Sequence, residues 1–415
     1  MKEGTKRGGE KVGIGIDRIS SLSDDILIPI LSLLSTKEAV QTCILSKRWS
    51  NVWAYVPVLK VAEYEFRTSK SNHGVYRDQS QIDCMDKFVR FVNGVLQNRK
   101  SLHLDTFNCF CSSINTQNHS LEWLGRVAAL MPKVIVFYGN IPERLDLAES
   151  LFSCASLQKL KLDFSGFAKI TIPESIYLPS LKVLELAHIE LSDDLVKKLF
   201  SGCPTLESLV LCSCALTVCD LTSDVLKMLS IGYCWKTDKM RISCPGLVSL
   251  SIDYFSTKEE ILLQNMASLA TADIILHNYS HDLSILSGLS NATTLKLHGS
   301  LNSIVRLVKD IPNCRTFNNL KMLEIGEWDM TTNFELVACF LDNSPNLQNL
   351  NLQLGRCDHT PGQPSGPSQV DMRDVSFKLE YVECVKISGG NKVQPNILVN
   401  ILRRHIKTIG HLLIL

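Results

Sequence analysis

Neither sign of charge predominates in this chain, which carries 43 Lys and Arg residues against 42 Asp and Glu residues among 415. Proteins that bind phosphate backbones or anionic lipid usually show a basic excess or a basic stripe. The balance therefore predicts no nucleic-acid partner and no membrane partner. The chain also lacks a run of about 18 apolar residues, which a spanning helix needs, and an apolar signal-peptide core.

Closely spaced cysteine pairs, which typical zinc sites use, are missing as well. The fifteen cysteines are odd in number and scattered, and the densest group is Cys212, Cys214 and Cys219, with Cys203 and Cys234 as further candidate ligands. Cys212 and Cys214 follow an expected strand, where small buried residues belong. We therefore expect core thiols rather than a metal site, no cofactor, and a reducing compartment, the nucleus and/or the cytoplasm.

Catalytic patterns are absent too. His277 and His281 are four residues apart but have no glutamate between them, as a metalloprotease helix requires, so a loop is expected there. No Ser/His/Asp order and no phosphate-binding loop is found. Paired acids stand where helices are expected to begin, which explains them through the helix dipole: Asp24-Asp25, Asp193-Asp194 and Glu259-Glu260. The sequence predicts a protein that is not an enzyme.

A repeated frame fills most of the chain: an apolar residue, two spacers, an apolar residue, one spacer and a third apolar residue. Successive copies from residue 131 to residue 347 begin 20 to 28 residues apart, the spacing of leucine-rich repeats. The clear copies are Leu157, Leu160, Leu162; Leu181, Leu184, Leu186; Leu206, Leu209, Leu211; Leu226, Leu229, Ile231; Leu247, Leu250, Ile252; Leu320, Leu323, Ile325; and Leu347, Leu350, Leu352. The weaker copies are Met131, Val134, Val136; Leu269, Ala272, Ile274; Ala292, Leu295, Leu297; and Val382, Val385, Ile387.

Each copy predicts a strand with one buried face, and the longer intervals predict a helix. Ser192 is a suitable N-cap before the apolar stripe Leu195, Val196, Leu199 and Phe200. Phe334, Val337, Ala338 and Leu341 form a similar stripe. The expected fold is α/β: a leucine-rich-repeat solenoid with a curved parallel sheet and with helices or irregular segments on its convex side, preceded by three short helices.

The predicted organisation has six parts. They are a disordered lead-in (1–16), a three-helix segment (17–59), a connecting region with the first irregular repeats (60–130), the repeats (131–355), an exposed Pro- and Gly-rich loop (356–376), and a C-terminal repeat or cap (377–415). In the cap we expect a strand at 381–388, a helix at 395–404 and a last strand or cap in the closing IGHLLIL.

The segment 17–59 does not follow the repeat frame. Its helices are expected from Ser23, from Thr36 or Lys37 to about Ile44, and from Ser46 to Tyr55. The first helix has an apolar stripe too wide for one neighbouring helix. Because some 40 residues cannot form a sufficient core by themselves, the surplus apolar surface must meet the repeats or another protein.

Short motifs in this segment resemble the F-box of the plant F-box/leucine-rich-repeat family. They are Asp-Arg-Ile-Ser at 17–20, Ile-Leu-Ser-Leu-Leu at 30–34, Thr-Lys-Glu-Ala-Val at 36–40, Leu-Ser-Lys-Arg-Trp at 45–49, Trp53, and Val-Pro at 56–57. The C-terminal strand and helix are similar in plan to the FBD module of that family.

The resemblance implies that the segment docks on a Skp-family adaptor, and through it on a cullin-RING ubiquitin ligase, while the repeats bind an unknown protein substrate. Carried onto this sequence, the adaptor-binding residues would be Leu22, Ile26, Leu27, Ile30, Leu31, Leu34, Leu45, Ser46, Arg48 and Trp49.

Several points stay open at this stage. Pro29 within the first helix removes one backbone hydrogen bond and is expected to kink or weaken the helix and the docking. Trp49 either only packs the third helix or also contacts the adaptor, and Arg48 is either solvated or donates to an adaptor carboxylate. The alternative function is a leucine-rich-repeat receptor or scaffold that senses a small molecule. Such a site needs converging basic residues, and the spacers Lys159, Lys161, Lys182 and Ser208 do not converge convincingly.

Overall fold

The computed structural model of the chain consists of two compact units, residues 1–109 and 110–415. The structure describes residues 19–67, 79–111, 117–140, 144–146, 149–171, 173–236, 239–253, 256–257, 261–276, 284–299, 316–328, 334–354, 377, 379–389 and 394–415. The predicted lead-in at 1–16 and the predicted loop at 356–376 lie outside these ranges, as do His277 and His281. No helix within the described ranges has both the length and the apolar character to cross a membrane.

The first unit is built mainly of short helices. Its elements are α1 (Asp24–Leu33), α2 (Thr36–Gln41), 3₁₀ helices at Thr42–Ile44 and Trp49–Tyr55, β1 (Val58–Ala62), a 3₁₀ helix at Glu63–Phe66 and α3 (Gln79–Asn98), and the boundary at residue 109 falls within the next strand, β2 (Thr106–Cys111). The first two helices begin where they were predicted. The third was predicted as a helix from Ser46, but it begins at Trp49 and has 3₁₀ geometry, since Ser, Asn, Val and aromatic residues favour the α-helix weakly.

Helix α1 continues through Pro29 to Leu33. The proline lacks the N–H that would bond the carbonyl of Asp25, but both residues are exposed, so the missing bond lies on the solvent side of the helix. Ser23 occupies the predicted N-cap position, yet its side chain makes no capping hydrogen bond. Helix α2, in contrast, starts with a complete capping box between Ser35 and Glu38.

The second unit is built from parallel strands that follow one another along the chain, most of them in one large sheet. Its strands are β3 (Val134–Gly139), β4 (Arg144–Asp146), β5 (Lys159–Thr171), β6 (Val183–Leu191), β7 (Ser208–Cys212), β8 (Ala215–Leu216), β9 (Asp220–Thr222), β10 (Met228–Gly232), β11 (Trp235–Lys236), β12 (Met240–Ser243), β13 (Ser249–Asp253), β14 (Ser256–Thr257), β15 (Ile261–Gln264), β16 (Thr271–Leu276), β17 (Thr294–Gly299), β18 (Met322–Trp328), β19 (Asn349–Leu354), β20 (Leu379–Gly389) and β21 (Ile406–Ile414). Its helices are α4 (Gln117–Ala128), α5 (Glu149–Phe152), α6 (Asp193–Gly202), α7 (Ser284–Ser287), α8 (Phe334–Asp342) and α9 (Gln394–His405).

The repeat frame sets the register of this sheet. The second apolar position of each copy pairs with the same position of the next copy, from Leu160 on β5 to Val385 on β20. All these side chains are buried. The apolar positions therefore stack into columns, which is how a repeat that cannot bury its own apolar face becomes stable. The predicted leucine-rich-repeat fold is confirmed.

The frame is wrong at its first copy. The predicted apolar positions are Met131, Val134 and Val136, but Ile135 and Phe137 are the residues that pair with Leu160 and Leu162 and are fully buried. Val134 and Val136 are only half-buried because they lie on the other face of the strand. A further copy, Ile409, Leu412 and Ile414, pairs in register with β20 and lies beyond the copies that the frame predicts.

The layer behind these columns changes with the length of the repeat. Helices α6 and α8 occupy longer repeats, and the side chain of Ser192 caps α6 by accepting the N–H of Leu195, as predicted. The shorter repeats carry a second parallel sheet of β9, β12 and β15. A helix beginning at Glu259-Glu260 was therefore a wrong prediction, because Ile261–Gln264 is a strand in this sheet.

Candidate functional site

The ten predicted docking residues fall into three groups in the first unit. Leu27, Leu31 and Trp49 are buried and form a core with Ala39, Val52 and Val56. Leu22, Leu34, Ser46 are half-buried, and the first two pack against that core. Ile26, Ile30, Leu45 and Arg48 are exposed. Only the last group offers substantial side-chain surface to a partner, since the unit uses the first group for its own packing.

Helix α1 is apolar on two faces. Its inner face carries Leu27 and Leu31, whereas Ile26, Ile30 and Leu33 follow one another at helical spacing on the outer face. Leu33 is 79% exposed, although it was not among the predicted residues. The spacing from Ile30 to Leu33 was the signal for this second stripe.

Two further aliphatic residues are exposed at the end of the next helical segment. Ile44 is 84% exposed and Leu45 is 62% exposed. Ile44 also escaped the sequence prediction. We call these five side chains the exposed aliphatic set: Ile26, Ile30, Leu33, Ile44 and Leu45. Three of the five lie on one face of α1, and an uncovered apolar face is typical of a surface that binds a partner.

Arg48 connects the turn after Leu45 to the start of α1. Its guanidinium donates to the backbone carbonyls of Ser20 and Leu22 and lies 3.1 Å from the Asp24 carboxylate. The adjacent indole N–H of Trp49 donates to the Ser20 hydroxyl at 2.9 Å. Both side chains are thus engaged inside the first unit.

Lys60 on β1 holds the opposite end of the same helix. Its ammonium group donates to the carbonyls of Ser32 at 3.1 Å and Leu33 at 3.4 Å. These are among the last carbonyls of α1, which have no partner within the helix. A cation at this end also interacts favourably with the helix dipole.

Two charged residues, Lys37 on α2 and Glu65 in the segment after β1, lie close to each other. Burial raises the pKa of Glu65, although the Ser35 hydroxyl and the Lys37 ammonium oppose this shift. The Lys37 ammonium lies 4.6 Å from the centre of the Phe66 ring and donates to the Glu65 carbonyl. These contacts attach α2 to the segment after β1.

Ser46 has an unusual environment for a predicted docking residue. Its hydroxyl is buried and has no hydrogen-bond partner among the residues that the structure describes. A buried hydroxyl without a partner costs free energy, about 1 to 3 kcal/mol. The structure of the first unit alone gives no reason for a serine at this position.

The repeat unit presents a polar strand face. Glu185 lies between the ammonium groups of Lys159 at 2.6 Å and Lys161 at 2.9 Å, and His188 lies 3.0 Å from Asp163. Lys161 also contacts Tyr138, whose hydrogen bond raises the lysine pKa. The two ammonium groups contact one shared carboxylate, which offsets one of their two charges, so at most one net positive charge is left here for a small anionic ligand.

A cavity of about 440 Å³ lies beside β15. It is lined by Leu262, Leu263, Gln264, Asn265, Met266, Ala267, Gly288, Ser290 and Asn291. The amide of Asn265 donates to the Ser243 hydroxyl and that of Asn291 to the Met266 carbonyl. No lining residue is charged, so this cavity does not supply the basic cluster expected for the small-molecule alternative.

The cysteines of the repeats are mostly core residues. Cys203, Cys214 and Cys234 are buried, Cys212 is half-buried, and Cys219 is exposed. Burial raises the pKa of the Cys203 thiol to about 12. Within the described part of the chain, no group of three or more His, Cys, Asp or Glu residues is placed to hold a metal ion.

The geometry therefore defines a protein with an N-terminal helical segment that exposes an aliphatic row, followed along the chain by leucine-rich repeats. A family model described as the F-box domain matches residues 19–60. A second model, described as "FBD-associated F-box protein At5g56370, LRR repeats", matches residues 121–308. This chain is an F-box protein with leucine-rich repeats.

Curated relatives extend the match along the chain. The F-box/FBD/LRR-repeat protein At4g26340 of Arabidopsis thaliana is 31% identical over 401 residues, 90% of this chain and 87% of the relative. The putative FBD-associated F-box protein At5g50270 of the same plant is 30% identical over 404 residues, 90% of this chain and 91% of the relative. The chain belongs to the plant family of F-box/FBD/LRR-repeat proteins, as its motifs predicted.

Proposed function

We propose that this chain is the substrate-recognition subunit of an SCF-type ubiquitin ligase. Its F-box binds a Skp-family adaptor, which links it to a cullin-RING ligase, and its repeats bind a target protein. The observation that carries this proposal is that the exposed aliphatic set lies within the residues that match the F-box model. The chain itself performs no chemistry in this role, and it acts in the nucleus or the cytoplasm.

The burial of side chains in the first unit supports a revised set of adaptor-binding residues. Ile26, Ile30 and Leu45 are kept from the predicted face, and Leu33 and Ile44 are added to it. Leu27, Leu31 and Trp49 act instead by holding the F-box core, because their side chains are covered within the unit. Fully burying one aliphatic side chain is worth about 1.5 to 3 kcal/mol, so five can support a stable interface after ordering costs are met.

The test is adaptor binding by the full chain carrying Ile30→Asp and Ile44→Asp. We expect at least about a hundredfold loss of affinity in calorimetry, because two carboxylates would be desolvated in an apolar interface. Leu102→Asp is the matched control, since Leu102 is 81% exposed in the same unit but lies outside the F-box match. Equal binding by the double variant and the wild type would exclude this face.

Target binding is tested separately by proximity labelling in plant cells, with and without a proteasome inhibitor. Proteins labelled by both the wild type and the double variant are candidate targets, because the repeats are unchanged. Among them, true substrates should accumulate under the inhibitor only with the wild type. If no protein behaves in this way, the substrate-receptor role is not supported.

A further inference from the structure

Helix α1 is weak in two respects. Pro29 removes one internal hydrogen bond, and Ser23 provides no side-chain cap at the start. Yet this helix carries three of the five exposed aliphatic residues. A binding surface on a fraying helix would have to be ordered when the partner arrives, which weakens binding.

Two cations from outside the helix hold its two ends. Arg48 donates to the carbonyls of Ser20 and Leu22 just before α1 and pairs with Asp24 in its first turn. Lys60 donates to the Ser32 and Leu33 carbonyls at its last turn. Ten residues at 1.5 Å each separate these two points by about 15 Å, so the cations act on the whole length of the helix.

We propose that Arg48 and Lys60 are positioning residues of the adaptor-binding surface: they fix the ends of the proline-containing helix α1 and so order its outer aliphatic row before the adaptor binds. Arg48 has the further effect of fixing the turn that follows Ile44 and Leu45 against the start of α1. Neither side chain has to contact the adaptor for this role. The proposal rests on the proposed function, and it reassigns Arg48 from a candidate adaptor contact to an internal clamp.

The geometry at each end fits the chemistry of the side chain. The guanidinium of Arg48 has several donors in a fixed fork, so it can serve two carbonyls and a carboxylate together. The Lys60 ammonium has three donors and reaches two neighbouring carbonyls at the negative end of the helix dipole. The backbone N–H of Lys60 donates to the Thr36 hydroxyl at 2.8 Å, which fixes the backbone from which this side chain extends.

The experiment is a double-mutant cycle in the full chain with Lys60→Met, Arg48→Met and Pro29→Ala. Pro29→Ala restores the missing N–H of α1, so it should reduce the effect of removing Arg48 or Lys60 on the order of the helix. Hydrogen exchange of the α1 amides in the free chain and affinity for a Skp-family adaptor are both measured. Lys87→Met and Arg90→Met, at exposed positions of α3, are the matched controls.

We expect each clamp variant to speed exchange across α1 and to weaken adaptor binding about three- to tenfold. In the Pro29→Ala background, the loss of adaptor affinity caused by each clamp variant should fall to about twofold or less. Unchanged exchange in the clamp variants would overturn the proposal. So would an affinity loss that is the same in both backgrounds, because a direct adaptor contact would not depend on residue 29.

The two proposals fail in different ways. If the wild type does not bind the adaptor, the proposed function is wrong and no surface remains for the clamps to position. If the wild type binds, and Ile30→Asp abolishes binding while both clamp variants bind normally, the proposed function holds and the positioning role is wrong.

Discussion

The F-box and the repeats use leucine and isoleucine in opposite ways. In the repeats, the apolar positions are buried in columns that run from strand to strand, and the strand face between them is mostly polar, with exceptions such as Val210 and Met228. In the F-box, α1 buries one aliphatic row and leaves a second in water. A repeat can cover its apolar side chains with the next repeat, whereas a short helical segment cannot cover both faces of α1 by itself. The uncovered row therefore indicates a partner for the F-box, while the polar positions of the repeats can vary at smaller cost to the fold.

The sharpest test of this comparison uses two neighbouring residues of α1. Leu31→Asp places a carboxylate in the core of Trp49, Val52 and Val56, and should destabilise the F-box by more than about 4 kcal/mol. Ile30→Asp should change the free energy of unfolding by no more than about 0.5 kcal/mol, because residue 30 is exposed. Urea denaturation followed by circular dichroism distinguishes the two. Similar losses of stability would mean that the two faces of α1 are not distinct.

The second test concerns the columns of the repeats. Leu250→Ala removes a fully buried side chain that stacks between Leu229 and Ala272, and should cost about 2 to 5 kcal/mol. Ser251→Ala, on the opposite face of the same strand, should cost less than about 1 kcal/mol. Thermal and urea unfolding measure both values. Adaptor affinity should be the same for both variants, and a selective loss with Leu250→Ala would contradict the separation of the two roles.

These two regions also differ in what their sequence reveals. The repeat columns were predictable because a frame that recurs every 20 to 28 residues specifies which face of each strand is buried. The frame failed at Val134 and Val136, where the apolar residues Val134 to Phe137 are continuous and no alternation marks the buried face. In such a run only pairing with the next strand selects Ile135 and Phe137.

The candidate site was harder to predict for a related reason. Ile26 and Ile30 are as apolar as Leu27 and Leu31, so neither hydrophobicity nor helical spacing decides which row is buried. The decision is made by Trp49 and its neighbours, which come from a later segment and cover only one face. The Lys60 contacts were equally hard to predict, because Lys60 lies 28 positions after Ser32 and 27 positions after Leu33 in the sequence.

Glycine provides a smaller test in both regions. At Gly202 on α6 an added Cβ would lie 2.2 Å from the Ile176 carbonyl oxygen, so Gly202→Ala should destabilise the repeats by about 1 to 3 kcal/mol. At Gly94 on α3 nothing lies within 4 Å of that position. Gly94→Ala should therefore stabilise the first unit by up to about 1 kcal/mol through helix propensity. Thermal denaturation gives the signs, and the same sign at both sites would contradict the described packing.

The smallest expected effect is electrostatic and belongs to the strand face of the repeats. Partial burial by itself would raise the pKa of Glu185, but hydrogen bonds from Lys159 and Lys161 outweigh it and hold the pKa below its ordinary value. A carboxylate with a depressed pKa contributes stability above its unfolded pKa, about 4.3, and this contribution is lost as the pH falls through its folded pKa. We expect Glu185→Gln to lower the free energy of unfolding by up to about 1 kcal/mol at pH 7, and by progressively less as the pH falls through the folded pKa of Glu185. Urea denaturation at stepwise lower pH measures this difference, with Glu174→Gln at an exposed position as the control. If the difference in free energy of unfolding between the wild type and Glu185→Gln stays constant from pH 7 to pH 3, Glu185 stabilises the sheet through packing. The ion pairs on this strand face would then contribute nothing measurable to stability.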